Sequence, residues 1–213
     1  FIENTIKVIL YFITVLIIAD MLNIPINSLI ATFSVVGLAA SLAIQDSLAN
    51  LESGVMILVT HPFKCGDYIE GAGVSGTVVS INFTHTVLLT IENIKIHIPN
   101  KQIVSSVITN YSEQPKRRID ITFNISYSAD IEKVKKVMRD VIDSYPKILP
   151  GEPIFARLTG FQDSAVDYTL RVWVRNQDYW NSYYDILELM KKEFDKNGIE
   201  IPFNQLDVNI KKD

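Results

Sequence analysis

The sequence predicts a membrane-embedded helical part followed by an α+β soluble part, and three observations predict it. Lys7 is the only basic residue in the first 60, whereas 19 of the 20 Lys and Arg residues follow Thr60. The same basic-poor stretch holds two long apolar runs. After "THPF" the pattern changes to alternating β-branched residues and then to amphipathic helices.

The first apolar run, Ile6 to Leu22, is just long enough to cross a hydrocarbon core, which takes about 20 residues. Leu29 onward supplies a second run, and "NIPIN" between them reads as a tight turn, because Pro25 is poor inside a helix. Neither run shows a polar face, which disfavours two buried helices of a soluble domain. Lys64 and the large soluble portion follow the second span, so the positive-inside rule puts its C-terminal end in the cytoplasm. Two passes then place Phe1 near the cytoplasm and the turn outside. A chain that opens at Phe1 rather than Met is expected to extend further on its N-terminal side.

The segment "YIEGAGVSGTVVSINFTHTVLLTIENIKIHIPN" alternates and is punctuated by Gly71, Gly73, Gly76 and Asn93. It predicts a small, strongly bent antiparallel sheet or barrel of four or five strands between Tyr68 and Tyr111. "SEQPKRR", Ser112 to Arg118, reads as a polar linker. A strand "IDITFNISY" follows, then a helix with Ser128 as its N-cap, Asp130 and Glu132 in its first turn, and Ile131, Val134, Met138, Val141 and Ile142 on its inner face. "PIFARLTGF" and "AVDYTLRVWV" are strands. A second helix runs from about Asn181 to Asn197, with Ile186, Leu187, Met190 and Phe194 inward and Gly198 as its stop. "QLDVNI" closes the chain as a strand. The order β-α-β-β-α-β describes a small α+β sandwich of ferredoxin-like type. The expected boundaries are 1–27 for the first helix and turn, 28–61 for a kinked second helix, 62–113 for the β-domain, 114–204 for the α/β-domain and 205–213 for the last strand.

Hydrophobic residues make up 48% of the chain and its mean hydropathy is +0.19. The net charge of −4, averaged over an apolar and an ordinary soluble part, argues against a nucleic-acid partner. A single cysteine, Cys65, excludes an intrachain disulfide and fits a reducing compartment.

The second run is unusual in being built from small residues: "GLAASLAIQDSLANLESGVMIL". At 100° per residue, Ser34, Leu38, Ser41, Leu42 and Gln45 share one arc. Ala39 and Ala43 flank it on one side, Gly37 and Ala40 on the other. Small residues let helix backbones approach closely in lipid. Smallness on both flanks of a leucine stripe suits a helix with identical neighbours on either side, standing in a ring with its leucines toward the axis; a GxxxG-like dimer or an ordinary bundle contact is the alternative. Rings of Leu38 and Leu42 would make an apolar constriction that blocks ions by dewetting. Gln45 and Asp46 mark where the helix leaves the apolar slab. Asp46, a good N-cap residue, would accept from the amides of Leu48 or Ala49 and start a second half-helix at a new angle. In that half, Leu48, Leu51, Val55 and Leu58 with Glu52 opposite read as an amphipathic helix along the membrane surface.

"GLAASLAIQDSLANLESGVMILVTHPFKCGDYI", "GVSGTVVSINFTHT" and "IHIPNKQIVSSVITNYS" resemble the small-conductance mechanosensitive channels, the MscS family. So do "YSADIEKVKKVM", "LRVWVRNQDYWN" and "EFDKNGIEIPFNQLDVNIKK", and the motifs agree in order and spacing over nearly the whole chain. The resemblance implies a homoheptamer in the cell membrane, with a transmembrane pore above a hollow cytoplasmic cage whose base is a barrel of C-terminal strands. It implies opening under membrane tension and release of ions and small osmolytes during hypo-osmotic shock. Its partners would be lipids, identical subunits and the permeating solutes, with no cofactor and no enzymatic activity.

Carried over by position, Leu38 and Leu42 match the pore-sealing leucines and Ser34, Val35, Gly37, Ala39 and Ser41 the pore-helix packing positions. Gln45 and Asp46 fall at the kink and Gly54 at a second bend. Asn50 matches an Asn that faces the β-domain, and Asn100 the Asn of that domain's "IPN" turn. Phe1 matches an aromatic residue that packs near Ile44 and Leu48 as a route for tension. The chain departs from the family pattern at Asp46 and Ser41, where Gly is expected, and at Val35, where Ala is. Asp46 therefore favours a capped, more fixed kink over a flexible hinge.

Other classes find less support. His61, His85, His97 and Cys65 fit no metal-ligand spacing. No GxSxG, P-loop or paired-carboxylate pattern stands out. "PKRR" reads as solvated linker, with a lipid-headgroup or portal-lining role as the alternative. A membrane-tethered binding module with an Sm-like β-barrel is the competing reading, weakened by a barrel region that is neither basic nor regularly aromatic. A transporter subunit would need polar groups at mid-membrane, and the second run has no charged residue before Asp46.

Overall fold

The computed structural model describes residues 2–22 and 25–206, and the chain divides into two compact units after Asn110. The first unit opens with two helices, α1 (Ile2–Met21) and α2 (Ile26–Thr60). They touch through Phe12 and Phe33, whose ring centroids lie 3.9 Å apart. Pro25 immediately precedes α2, where its fixed φ is compatible with a helix start and its missing N–H costs nothing. The helix stops at His61, which takes a left-handed conformation (φ 49°) and returns its N–H to the Ile57 carbonyl at 2.9 Å. Pro62 follows and cannot continue the helix.

Five strands follow: β1 (Tyr68–Gly71), β2 (Val74–Ile81), β3 (His85–Leu89), β4 (Lys95–Pro99) and, after the short helix α3 (Asn100–Val104), β5 (Thr109–Asn110). They form one antiparallel sheet in the order β4-β3-β2-β1-β5. A register shift between Val78 and Ser80 bends β2. Gly76 lies so close to β3 that a Cβ there would meet the Leu89 carbonyl oxygen at 2.7 Å. The core beneath the sheet gathers Phe63, Ile69, Val78, Leu88, Ile98 and Ile103, and it also takes in Ile57 from α2. The C-terminal part of α2 is therefore packed on this domain.

That packing uses a different face of α2 from the apolar stripe read as lying along the membrane surface, and leaves that stripe uncovered within the chain. Asn50, Gly54 and Ile57 sit at helical spacing on the covered side, whereas Leu48, Leu51, Val55 and Leu58 are exposed within the chain. The apolar stripe read as the membrane-facing side is not the side that meets the sheet.

The second unit contains β6 (Lys116–Ile125), α4 (Ile131–Ser144), β7 (Phe155–Phe161), β8 (Val166–Arg175) and α5 (Tyr179–Lys196). The sheet order is β6-β8-β7, all antiparallel. Strand β6 alternates strictly, burying Ile119, Ile121, Phe123 and Ile125. The helices lay Val134, Val137, Met138, Val141 and Ile142 of α4 and Ile186, Met190 and Phe194 of α5 into the same core. Phe123 and Phe194 meet edge to face, 5.6 Å between centroids.

Several local expectations change here. Asp130, not Ser128, caps α4, its carboxylate accepting from the Lys133 amide at 2.8 Å. Ser128 is engaged in the preceding turn, its hydroxyl 2.9 Å from that of Ser126. Ile131, the first helical residue, is exposed rather than inward, whereas Leu187 packs against the core as expected, partly buried. The expected linker Ser112–Arg118 ends in strand, since β6 begins at Lys116. The Arg117 guanidinium lies over the rings of Tyr179 (3.7 Å) and Tyr111 (4.8 Å), so it is not a freely solvated charge. Gly198 takes φ +65° just after α5, the left-handed conformation that ends a helix at low cost. Gln205 and Leu206 are not in a strand, and the rest of the expected last strand lies outside the described residues.

Candidate pore helix and its junction with the sheet

Helix α2 is long and apolar enough to cross a membrane, and the qualifying window is wholly unburied within the chain. Leu38 and Leu42 are 64% and 62% exposed. Val35, Ile44 and Leu48 are likewise exposed, as are Ser34, Ala39, Ser41 and Gln45. No atom lies within 4 Å of a Cβ built on Gly37. A membrane-length stretch that is apolar on every side and unburied within the chain needs lipid or further protein around it. Two of its hydroxyls are satisfied within the helix: Ser34 donates to the Ile30 carbonyl at 2.7 Å and Thr32 to that of Ser28 at 2.9 Å. Neither side chain therefore forces water into the apolar stretch. Phe1, expected near Ile44 and Leu48, lies outside the described residues.

Helix α2 runs unbroken through Gln45 and Asp46. No second helix starts at Asp46, so it is not an N-cap; its amide neighbours are already inside a continuous helical ladder. Its carboxylate instead accepts from Lys101 Nζ of α3 at 2.9 Å. One turn on, Asn50 uses both ends of its amide. Nδ2 donates to the Asp46 carbonyl of its own helix at 2.8 Å, and Oδ1 accepts from the Lys101 backbone N–H at 3.0 Å. The residue preceding α3, Pro99, offers no side-chain cap, so a side chain from α2 satisfies one of the orphan donors of α3.

Asn100 does not hydrogen-bond to Asn50. It is fully buried and its side chain is completely committed within the sheet domain. Oδ1 accepts from the Thr86 hydroxyl at 2.9 Å, and Nδ2 donates to the carbonyls of Asn82 (2.9 Å) and Phe83 (3.0 Å). Its backbone N–H donates to the Thr84 carbonyl at 3.0 Å. This network braces the loop between β2 and β3, against which α2 presents Gly54. A Cβ on Gly54 would lie 2.4 Å from the Phe83 carbonyl oxygen and 2.6 Å from Asn100 Nδ2.

The structure thus brings Asp46, Asn50, Gly54 and Asn100 to one junction, and adds Lys101, Thr86 and Phe83, which sequence reasoning passed over. The spacing of Asp46, Asn50 and Gly54 at successive i, i+4 positions was the available signal for a single docking face. Elsewhere, His85 and His97 sit 5.2 Å apart between ring centroids on neighbouring strands, and Cys65 is exposed. Among the described residues no three His, Cys, Asp or Glu side chains converge.

Residues 46–113 match the family described as "Mechanosensitive ion channel, beta-domain", and residues 119–201 match "Mechanosensitive ion channel MscS, C-terminal". The small-conductance mechanosensitive channel of Edwardsiella ictaluri is 41% identical over 174 residues, covering 82% of this chain and 61% of that protein. The small-conductance mechanosensitive channel of Helicobacter pylori is 35% identical over 99% of this chain and 77% of its own length. The crystal structure of Helicobacter pylori MscS in its closed state superposes with a TM-score of 0.91 at 36% identity, covering 99% of this chain and 83% of that one. The chain spans less than two thirds of the Edwardsiella relative's length. With the β-domain, the C-terminal domain and the apolar helix matched in order by relatives of this identity, the chain belongs to the MscS family of mechanosensitive ion channels.

Proposed function

We propose that this chain is the subunit of a tension-gated, weakly selective channel that opens an apolar pore and releases ions and small osmolytes on hypo-osmotic shock. The observation that carries the reading is α2: apolar on all sides, unburied along its membrane-length stretch, and continuous with a segment anchored to a folded domain. Leu38 and Leu42 form the constriction, and Ser34, Val35, Gly37, Ala39 and Ser41 pack against identical neighbours, seven subunits forming the ring. Helix α1 is the first span of the chain and faces lipid. Tension drawn on it reaches α2 near Ile44 and Leu48, with Phe1 as part of that route. Gln45 and Asp46 mark the cytoplasmic end of the pore, and Asn50, Gly54 and Asn100 couple it to the β-domain. The domains after Thr60 lie in the cytoplasm beneath the cell membrane. The segments act as a first span (1–27), a pore helix (28–61), a β-domain (62–113), an α/β-domain (114–204) and a C-terminal strand (205–213). No step needs a cofactor or bond-breaking chemistry.

A membrane-tethered binding module explains the sheet but not the uncovered small-residue helix. Reconstitution into liposomes with patch recording under graded suction tests the choice. The channel reading expects a pressure-activated current from the purified protein, and a silent membrane with protein present overturns it.

A further inference from the structure

Two contacts of different physical kind converge on Lys101. The bond from its backbone N–H to Asn50 Oδ1 joins two neutral groups. The bond from its Nζ to Asp46 Oδ1 joins two full charges whose side chains are 52% and 85% exposed. Salt treats these differently. Attraction between exposed charges is screened over a Debye length of about 10 Å at 0.1 M and about 30 Å at 0.01 M ionic strength, whereas a neutral hydrogen bond is nearly indifferent. The contacts are also chained, because Asn50 is itself tied to the Asp46 carbonyl. Loosening the ion pair frees the lysine side chain and removes one of the two hydrogen-bonded links between Lys101 and α2.

We infer that the Asp46–Lys101 pair makes the coupling of the pore helix to the β-domain sensitive to ionic strength, tightening as salt falls on the side of the β-domain. This deepens the channel reading and rests on it for its physiological meaning. One exposed pair is weak, about 1.5- to fivefold in an equilibrium constant. A ring of identical subunits repeats it at every copy, and a concerted opening multiplies the factors. The fold superposes on that of a relative solved in its closed state, and the latch is assigned here to the closed arrangement. Dilution of the cytoplasm during hypo-osmotic shock then strengthens the hold and favours reclosure.

Two measurements on the reconstituted protein test this. In excised patches, lowering the salt on the β-domain side from about 0.5 M to about 0.05 M lengthens the screening distance roughly threefold. The wild type should then need more tension to open. Asp46→Asn and Lys101→Met should lose that dependence, and the swap Asp46→Lys with Lys101→Asp should regain it. Hydrogen exchange at the Lys101 amide needs no current. Its protection should rise, by at most about fivefold, over the same change in the wild type and stay flat in either neutral variant. Equal salt dependence in wild type and neutral variants, or protection that falls as salt is removed, overturns the latch. A protein with salt-dependent protection but no current would overturn the channel reading and leave the latch standing.

Discussion

A methyl group on Gly54 would sit 2.4 Å from the carbonyl oxygen of Phe83, closer than a carbon can approach an oxygen without displacement. The neighbour is backbone, and the next nearest atom is Asn100 Nδ2, itself hydrogen-bonded to the Asn82 and Phe83 carbonyls. Helix α2 meets the sheet domain at a place where nothing can yield cheaply.

Gly54→Ala therefore sets two effects against each other. Replacing Gly by Ala inside a helix gains about 1 kcal/mol of propensity. Forcing a methyl into a filled contact costs about 1–3 kcal/mol, and here it also pushes on a buried amide network. The clash should win. Thermal unfolding should show a lower midpoint, and hydrogen exchange should show loss of protection around Asn82 to Thr84. Gly37→Ala is the control for the subunit fold, since no atom lies within 4 Å of that site. A Gly54→Ala protein as stable as the parent would disprove the tight junction.

The constriction has its own test. Leu38 and Leu42 support no core within the chain, so Leu42→Ser should leave the subunit fold intact. It should ease wetting of an apolar pore and lower the tension of half-opening in patch recordings, with Leu38→Ser acting in the same direction. Cells carrying either variant should leak and grow poorly. Unchanged thresholds in both would remove these residues from the pore.

The cap of α4 separates two neighbouring candidates. Asp130→Ala removes the acceptor for the Lys133 amide and should destabilise the C-terminal unit by about 0.5–2 kcal/mol in urea unfolding. Asp130→Asn keeps the acceptor and should recover most of that loss. Ser128→Ala touches only the preceding turn and should cost less. Equal losses at Ser128 and Asp130 would mean the helix start is held by the turn and not by the cap.

Alkaline pH probes the core of the same unit. Burial pushes the Tyr145 phenol above its ordinary value near 10, and the Asp185 carboxylate adds to the rise while Ser182 opposes it. The Tyr145 hydroxyl lies 2.8 Å from Asp185 Oδ2 and 3.2 Å from Ser182 Oγ. Tyr168 is raised too, chiefly by burial. A folded-state value above the unfolded one means the folded unit holds these protons more tightly. Their contribution is complete below about pH 10 and is lost as pH rises through the folded values. Stability should fall on that alkaline limb, and a protein carrying Tyr145→Phe and Tyr168→Phe should fall less steeply. An identical slope in parent and double variant would contradict this.

The sequence by itself determined what local pattern can encode. The period-2 alternation of Ile119, Ile121, Phe123 and Ile125 and the helical spacing of Val134, Met138 and Val141 state which side faces a core, because side-chain direction follows from backbone geometry alone. The small-residue run on α2 was legible for the same reason, and so was the glycine stop at Gly198. Tertiary structure decided the partners. Asp46 has the chemistry of a cap and lies on a helix face that any wheel can draw, yet its carboxylate is claimed by a lysine 55 residues away. Only the folding of the sheet between them, with its bulge in β2 and its turn into α3, delivers Lys101 to that point. Asn50 and Asn100 show the same limit: both reach the junction, but the Asn100 amide is taken by the carbonyls of Asn82 and Phe83. Local sterics fix which way a residue points, and the closure of long loops fixes what it meets there.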